Sequence, residues 1–258
     1  MNKDHNSDDV KKYVRKRYGE IADGKKTGCC DPSCCSSPSI TDLKAGYSRE
    51  ELEKIPEDAV LGLGCGNPTA IADIKVGEIV LDLGSGGGID CFLASKKVGE
   101  KGKIIGIDMT EKMIRRARKN AEEGGYTNVE FRLGEIENLP VDDNSVDLII
   151  SNCVINLAPD KGKVFAEACR VLRPGGRIMV SDIVTTEILP EEVRKSFEAW
   201  AECIAGAMVK DDYLDVIKAA GFSNITVEKE HAYTEDGMSK TLRNKILSIS
   251  VKAFKPEA

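Results

Sequence analysis

Three cysteines and one glycine-rich turn stand out as groups that could do chemistry. Cys65 lies in Gly64-Cys65-Gly66-Asn67-Pro68, a turn whose glycines leave a sulfur accessible. Cys153 lies in Ser151-Asn152-Cys153-Val154-Ile155-Asn156-Leu157, and Cys203 in a stretch of small residues after Trp200. Taken singly, each is well explained as a small buried hydrophobe. The turn Gly84-Ser85-Gly86-Gly87-Gly88 follows Asp82 and opens a helical pattern, so that a ligand can lie against bare backbone at a helix N-terminus. Asp108, closing the next strand pattern, is placed to take two ribose hydroxyls. A dinucleotide fingerprint, G-x-G-x-x-G/A, would need a small residue where Ile89 stands, and that bulk disfavours close packing over a pyrophosphate.

Composition narrows the setting. The chain has 258 residues, one large domain or two small ones, with Lys+Arg 37 against Asp+Glu 43 and a net charge of −6. Such an acidic balance argues against a nucleic-acid partner, whose backbone calls for a basic surface. No apolar run reaches the roughly 18–20 residues of a membrane span, and the polar start Met1-Asn2-Lys3-Asp4-His5-Asn6 lacks the apolar stretch of a signal peptide. The expectation is a cytoplasmic protein with no membrane partner. Nine cysteines cannot all pair within one molecule. In a reducing compartment they read as core, metal-binding or catalytic groups rather than staples. Histidine is scarce as a general base: His5 sits in the polar tail, and His231 on a late strand reads as structural.

The elements that would position these groups follow from periodicity. Residues 9–21 place Val10, Tyr13, Val14, Tyr18 and Ile21 at helical spacing, with Lys11, Lys12, Arg15, Lys16 and Arg17 expected on a solvated face. A turn-rich segment from Asp23 to Ser39 carries Cys29, Cys30, Cys34 and Cys35, and Glu50–Lys54 reads as a short helix. From residue 79 short apolar strands alternate with helices: strands at 79–83, 103–107, 129–133, 146–151 and 177–181, and helices after Gly88, at 111–123 and at 161–172. That rhythm predicts βαβ units and a parallel sheet. Helices at 190–208 and 211–220 and two last strands at 224–231 and 245–254 complete the pattern. The fold expected is α/β, doubly wound, with a mostly parallel sheet. Its predicted parts are an N-terminal helix and Cys-rich arm over 1–50 and a domain over 51–258, with a helical cover at about 186–221 inserted after strand five.

The run Asp82-Leu83-Gly84-Ser85-Gly86-Gly87-Gly88, with Asp108 and the strand–helix alternation, resembles motif I of class I S-adenosylmethionine methyltransferases. That resemblance implies S-adenosylmethionine as cofactor, with Gly84, Ser85 and Gly86 under its methionine part and Asp82 near its amino group. It further implies Asp108 on the ribose, Met109 packed on the adenine, Ile136 flanking the base, Glu135 near the exocyclic amine and Asn152 facing the crevice. Nucleic-acid amino-methylating relatives carry a polar residue, two prolines and an aromatic after strand four. Ser151-Asn152-Cys153-Val154 lacks that base clamp.

With Gly64-Cys65-Gly66-Asn67-Pro68, Leu81–Cys91, Gly106-Ile107-Asp108-Met109-Thr110 and Ser151–Leu157, the chain resembles the arsenite S-adenosylmethionine methyltransferases from about residue 9 to 254. The resemblance implies that Cys65, Cys153 and Cys203 hold trivalent arsenic as substrate, with small thiols as reductants. Soft arsenic prefers thiolates in a three-coordinate pyramid. Its apical lone pair needs no general base, which suits the shortage of histidine. The family also implies a redox-active cysteine in the N-terminal region that pairs with Cys65. The doubled Cys29-Cys30 and Cys34-Cys35 prevent its assignment, and an unstructured thiol-rich loop is an equal reading. Cys91 and Cys169 read as core. Two competing functions remain at this stage: methylation of a small metabolite or quinone, and a non-catalytic soft-metal or thiol sensor.

Overall fold

The computed structural model describes residues 6–24, 46–233, 242 and 245–257. The expected Cys29–Cys35 cluster therefore lies outside the described residues, as does His5. A seven-stranded sheet runs in the order β3-β2-β1-β4-β5-β7-β6. Its strands are β1 (Ile79–Leu83), β2 (Lys103–Asp108), β3 (Val129–Leu133), β4 (Val146–Asn152), β5 (Leu172–Thr185), β6 (Ser223–Ala232) and β7 (Ile246–Phe254). β1 to β5 pair in parallel and β7 pairs antiparallel with both β5 and β6. The central strands are apolar on both sides because helices cover both faces; Val80, Leu81, Leu148, Ile149 and Ile150 are fully buried.

The helices are α1 (Ser7–Ala22), α2 (Arg49–Leu52), α3 (Pro68–Ile71), α4 (Ile89–Val98), α5 (Glu111–Glu123), α6 (Lys161–Val171), α7 (Glu191–Arg194), α8 (Phe197–Ala201) and α9 (Lys210–Ala219). Residues 111–123 and the strands at 79–83 and 129–133 form as the periodicity predicts. The helix expected over 190–208 does not. It breaks into α7, α8 and a string of turns, because Cys203 adopts φ +63° and Gly206 packs its α-carbon against the Asn156 carbonyl and the Trp200 ring, where a Cβ would collide. β5 is longer than expected, since Asp182 to Thr185 go on pairing with Ile249 to Ile246. Among the described residues no helix is long and apolar enough to cross a membrane.

Candidate active site

β1, β2 and β4 end on one side of the sheet, where the reversal of strand order between β1 and β4 opens a crevice. The cleft there encloses about 1010 Å³ out to its mouth and is lined by the glycine turn, Asp82, Asp90, Asp108, Met109, Ile136, Asn152 and Cys153. Gly84 takes φ +71° and Gly86 φ +50°, so backbone alone faces the ligand space. Gly84 also sits directly against Val154: a Cβ there would lie 2.6 Å from the valine Cβ. The cofactor turn thus touches the residue that follows Cys153.

Acidic groups dominate the cleft. Asp82, Asp90, Asp108 and Glu137 line it against one basic residue, Lys11, among the described lining residues. Burial first, then the charge of Asp90, push the Asp82 carboxyl well above its ordinary value, while Cys91, 3.2 Å away, donates to it. Burial also raises Asp108, opposed by the Thr110 and Gly86 amides, which donate to its two oxygens at 2.7 and 3.1 Å. Carboxylates crowded this way, with the buried Ser85 hydroxyl left without a hydrogen-bond partner, suit a cationic ligand carrying polar groups.

The sequence-derived positions divide between those that line the cleft and those held elsewhere. Asp82, Gly84, Ser85, Gly86, Asp108, Met109, Ile136 and Asn152 line it. Glu135 does not. Its carboxylate is taken by Lys11 at 2.6 Å and by Arg15. Glu137, two residues on, lines the cleft and pairs with Lys11 at 3.0 Å. The basic face of α1 expected to be solvated is therefore spent in part on these acids, and Val14 and Tyr18 of α1 wall the same cleft. Helical periodicity exposes such a face but says nothing of partners 120 residues away.

Cys65 and Cys153 are joined in a disulfide with Cα atoms 5.8 Å apart; the pairing of Cys65 with the N-terminal cluster that the resemblance implies during turnover falls on residues outside the described ones. The Cys203 Sγ lies 2.7 Å from the Cys153 carbonyl oxygen, and all three residues share one buried apolar cluster with Trp200, Leu157 and Ile204. With two of the sulfurs bonded to each other, no three Cys, His, Asp or Glu side chains among the described residues are disposed to hold one ion. The three residues share one cluster here without forming an open three-thiolate cup. Cys153 (φ +60°) and Cys203 (φ +63°) both occupy the left-handed region, at a cost of about 1–2 kcal/mol each where glycine would relieve it. Of the remaining cysteines, Cys91 is fully buried and Cys169 packs partly buried against the core, as expected. His231 is exposed on β6, an edge strand.

Besides Glu137, sequence reasoning passed over Tyr47. This residue follows the cysteine-rich segment, donates its hydroxyl to Asp90 at 2.9 Å and receives a hydrogen bond from Asn152 at 2.8 Å. A buried tyrosine beside the motif acid Asp90 had no signal beyond its type.

Comparison with known proteins agrees with this architecture. Residues 74–221 match the family profile described as a methyltransferase domain. The chain is 41% identical to an arsenite methyltransferase of Halobacterium salinarum, with 98% of this chain and 68% of that one covered. It is 35% identical to the arsenite methyltransferase of Aquipseudomonas alcaligenes, covering 95% of this chain and 71% of the other. The human arsenite methyltransferase is 37% identical over 83% of this chain, which spans 58% of its length. The crystal structure of an arsenic(III) S-adenosylmethionine methyltransferase from Chlamydomonas reinhardtii superposes with a TM-score of 0.67 at 36% identity, covering 86% of this chain and 75% of that one. A switch-point cleft floored by glycines, acids ready for a cation and cysteines gathered at its inner end are thus found in a chain that belongs to the arsenite methyltransferase family of S-adenosylmethionine-dependent methyltransferases.

Proposed function

We propose that this protein transfers a methyl group from S-adenosylmethionine to trivalent arsenic, as arsenite or methylarsenite, held by Cys65, Cys153 and Cys203. The observation that carries the reading is that Cys65 is bonded to Cys153 and the Cys203 Sγ rests on the Cys153 carbonyl, beside a cleft whose acids complement a cation. Small thiols act first, reducing the Cys65–Cys153 bond. Arsenous acid then exchanges its three hydroxides for three thiols, the thiol protons leaving with the hydroxides as water; methylarsenite, with two hydroxides, takes two of the thiols. Three-coordinate arsenic keeps a lone pair, so the acceptor is itself the nucleophile.

When bound, S-adenosylmethionine supplies a methyl group made electrophilic by its sulfonium. The residues present fit it: Gly84, Ser85 and Gly86 offer backbone and an unpartnered hydroxyl, Asp82 and Asp108 suit its ammonium and ribose, and Met109 and Ile136 offer apolar surface to its base. Glu137, which lines the cleft where Glu135 does not, is the acid available to the base edge. The protein's contribution is position: holding the acceptor in line with the donor can be worth roughly 7–11 kcal/mol as effective molarity. Cys153 is the one sulfur of the three that lines the cleft wall, which makes it the informative one to remove. A domain over 51–258, an arm over 1–50 and a reducing, cytoplasmic setting belong to the same proposal.

Incubation of reduced protein with labelled S-adenosylmethionine, arsenite and excess thiol, followed by separation of arsenic species, tests it. The wild-type chain yields labelled methylarsenicals and Cys153→Ser yields none above the no-enzyme control. No labelled arsenical from the wild type removes the proposal. A Cys153→Ser variant with only a modest loss would remove Cys153 from the set that holds arsenic.

A further inference from the structure

Asn152 has no hydrogen-bonding capacity left for a cofactor. A side-chain amide has two N–H donors and one oxygen with two lone pairs. Its Oδ1 accepts from the backbone amides of Cys65 at 3.1 Å and Gly66 at 3.2 Å. Its Nδ2 donates to the Gly66 carbonyl at 2.7 Å and to the Tyr47 hydroxyl at 2.8 Å, with the Asp90 carboxylate 3.4 Å away. The Cys65 turn is built to come this close: a Cβ at Gly64 would lie 2.6 Å from the Asn152 nitrogen, and one at Gly66 would lie 2.7 Å from the Cβ of Ser181. Ser248 on β7 donates to the Cys65 carbonyl at 3.1 Å and completes the seat. The residue after Asn152 is Cys153, whose amide donates to the Ser181 carbonyl at 2.8 Å.

We propose that Asn152 is a positioning residue that sets the Cys65 sulfur against Cys153, and that Tyr47 and Asp90 hold its amide in register with the donor cleft. This rests on the acceptor reading above and deepens it. One strand end delivers Cys153 directly and, through the neighbouring side chain, fixes where Cys65 must be. Asp90 and Asn152 both line the cleft, so the tyrosine hydroxyl between them ties the wall of the donor site to the acceptor turn. The amide is oriented from both ends, and a flip would set like groups against each other at Gly66 and Cys65.

Full-length Asn152→Ala and Tyr47→Phe proteins test this with three measurements. The Cys65–Cys153 dithiol–disulfide equilibrium is read in glutathione buffers by alkylation and mass spectrometry. Arsenite binding to reduced protein, without methyl donor, is followed by Trp200 fluorescence, and S-adenosylmethionine binding by calorimetry. Asn152→Ala is expected to shift the equilibrium at least tenfold toward the dithiol and weaken arsenite at least tenfold, while donor affinity changes less than threefold. Tyr47→Phe keeps the ring and the contacts of Asn152 to the turn, and is expected to shift the first two about threefold. A tenfold loss of donor affinity with an unmoved equilibrium would overturn the proposal, as would a Tyr47→Phe protein unchanged in all three. Wild-type protein that binds no arsenite defeats the acceptor reading instead, and the disulfide equilibrium still decides the role of Asn152.

Discussion

Gly84→Ala puts the contact between the glycine turn and Val154, the residue after Cys153, under direct load. The substituted side chain must hold φ +71°, which costs about 1–2 kcal/mol for an L-residue. It must also displace Val154, whose Cβ would stand 2.6 Å from the new methyl, an overpacking of about 1–3 kcal/mol. Together these give about 2–5 kcal/mol. For 258 residues, an unfolding entropy near 2.1 cal/mol/K per residue makes 1 kcal/mol worth about 2 °C, so the melting temperature should fall by about 4–10 °C. The two parts are separable. In a Val154→Gly background the clash is relieved and the backbone strain is not, so a double-mutant cycle should return a coupling of about 1–3 kcal/mol. Melting followed by circular dichroism and donor affinity by calorimetry measure both. Because Val154 follows Cys153, methyl transfer should fall more than donor binding does. A Gly84→Ala protein that melts within about 1 °C of wild type and binds the donor equally well would refute the argument.

Lys11→Met removes the cation shared by Glu135 and Glu137; with partly exposed partners the loss should be about 1 kcal/mol or less, seen as a modest weakening of donor binding by calorimetry that shrinks in high salt. Burial holds the Asp182 carboxyl up at about 7, although Tyr213 donates to it at 2.8 Å. The folded chain therefore binds more protons than the unfolded one between about pH 4 and 7, and stability contributed by the neutral acid falls as pH rises through that window. Asp182→Asn should remove that fall, so its melting temperature should gain on wild type from about pH 4 to 7; a difference that stays constant contradicts the assignment. Burial likewise lowers Lys161 to about 8, and Lys161→Met should flatten the rise in stability that its deprotonation gives wild type from about pH 8 to 10.

The parallel half of the sheet was legible because its strands are short and mostly apolar, with β1 and β3 closed by glycine and β2 by an acid, a local property. The glycine turn and Asp108 were legible for the same reason. What escaped was set by contacts between distant segments. The helical pattern over 190–208 is broken by Gly206 pressed on the Asn156 backbone, a collision no periodicity records. Lys11 looked like one more solvated cation because Glu135 is 124 residues away. Periodicity put Asn152 at a crevice-facing strand end, yet its amide is spent on a turn 86 and 87 residues earlier in the chain. The three cysteines could be selected by family likeness, but which two are bonded depends on how the Gly64–Gly66 turn seats on β4.

Helix α1 fastens both ends of the crevice at once. Near the base it clasps Glu135 and Glu137 through Lys11 and Arg15; further along, Arg17 pairs with Glu202 and the Tyr18 hydroxyl reaches the Ala201 carbonyl, just before Cys203. The same helix thus bears on the wall of the cleft and on the segment that carries Cys203. A change in how α1 packs would therefore be felt at the cleft wall and beside Cys203 together.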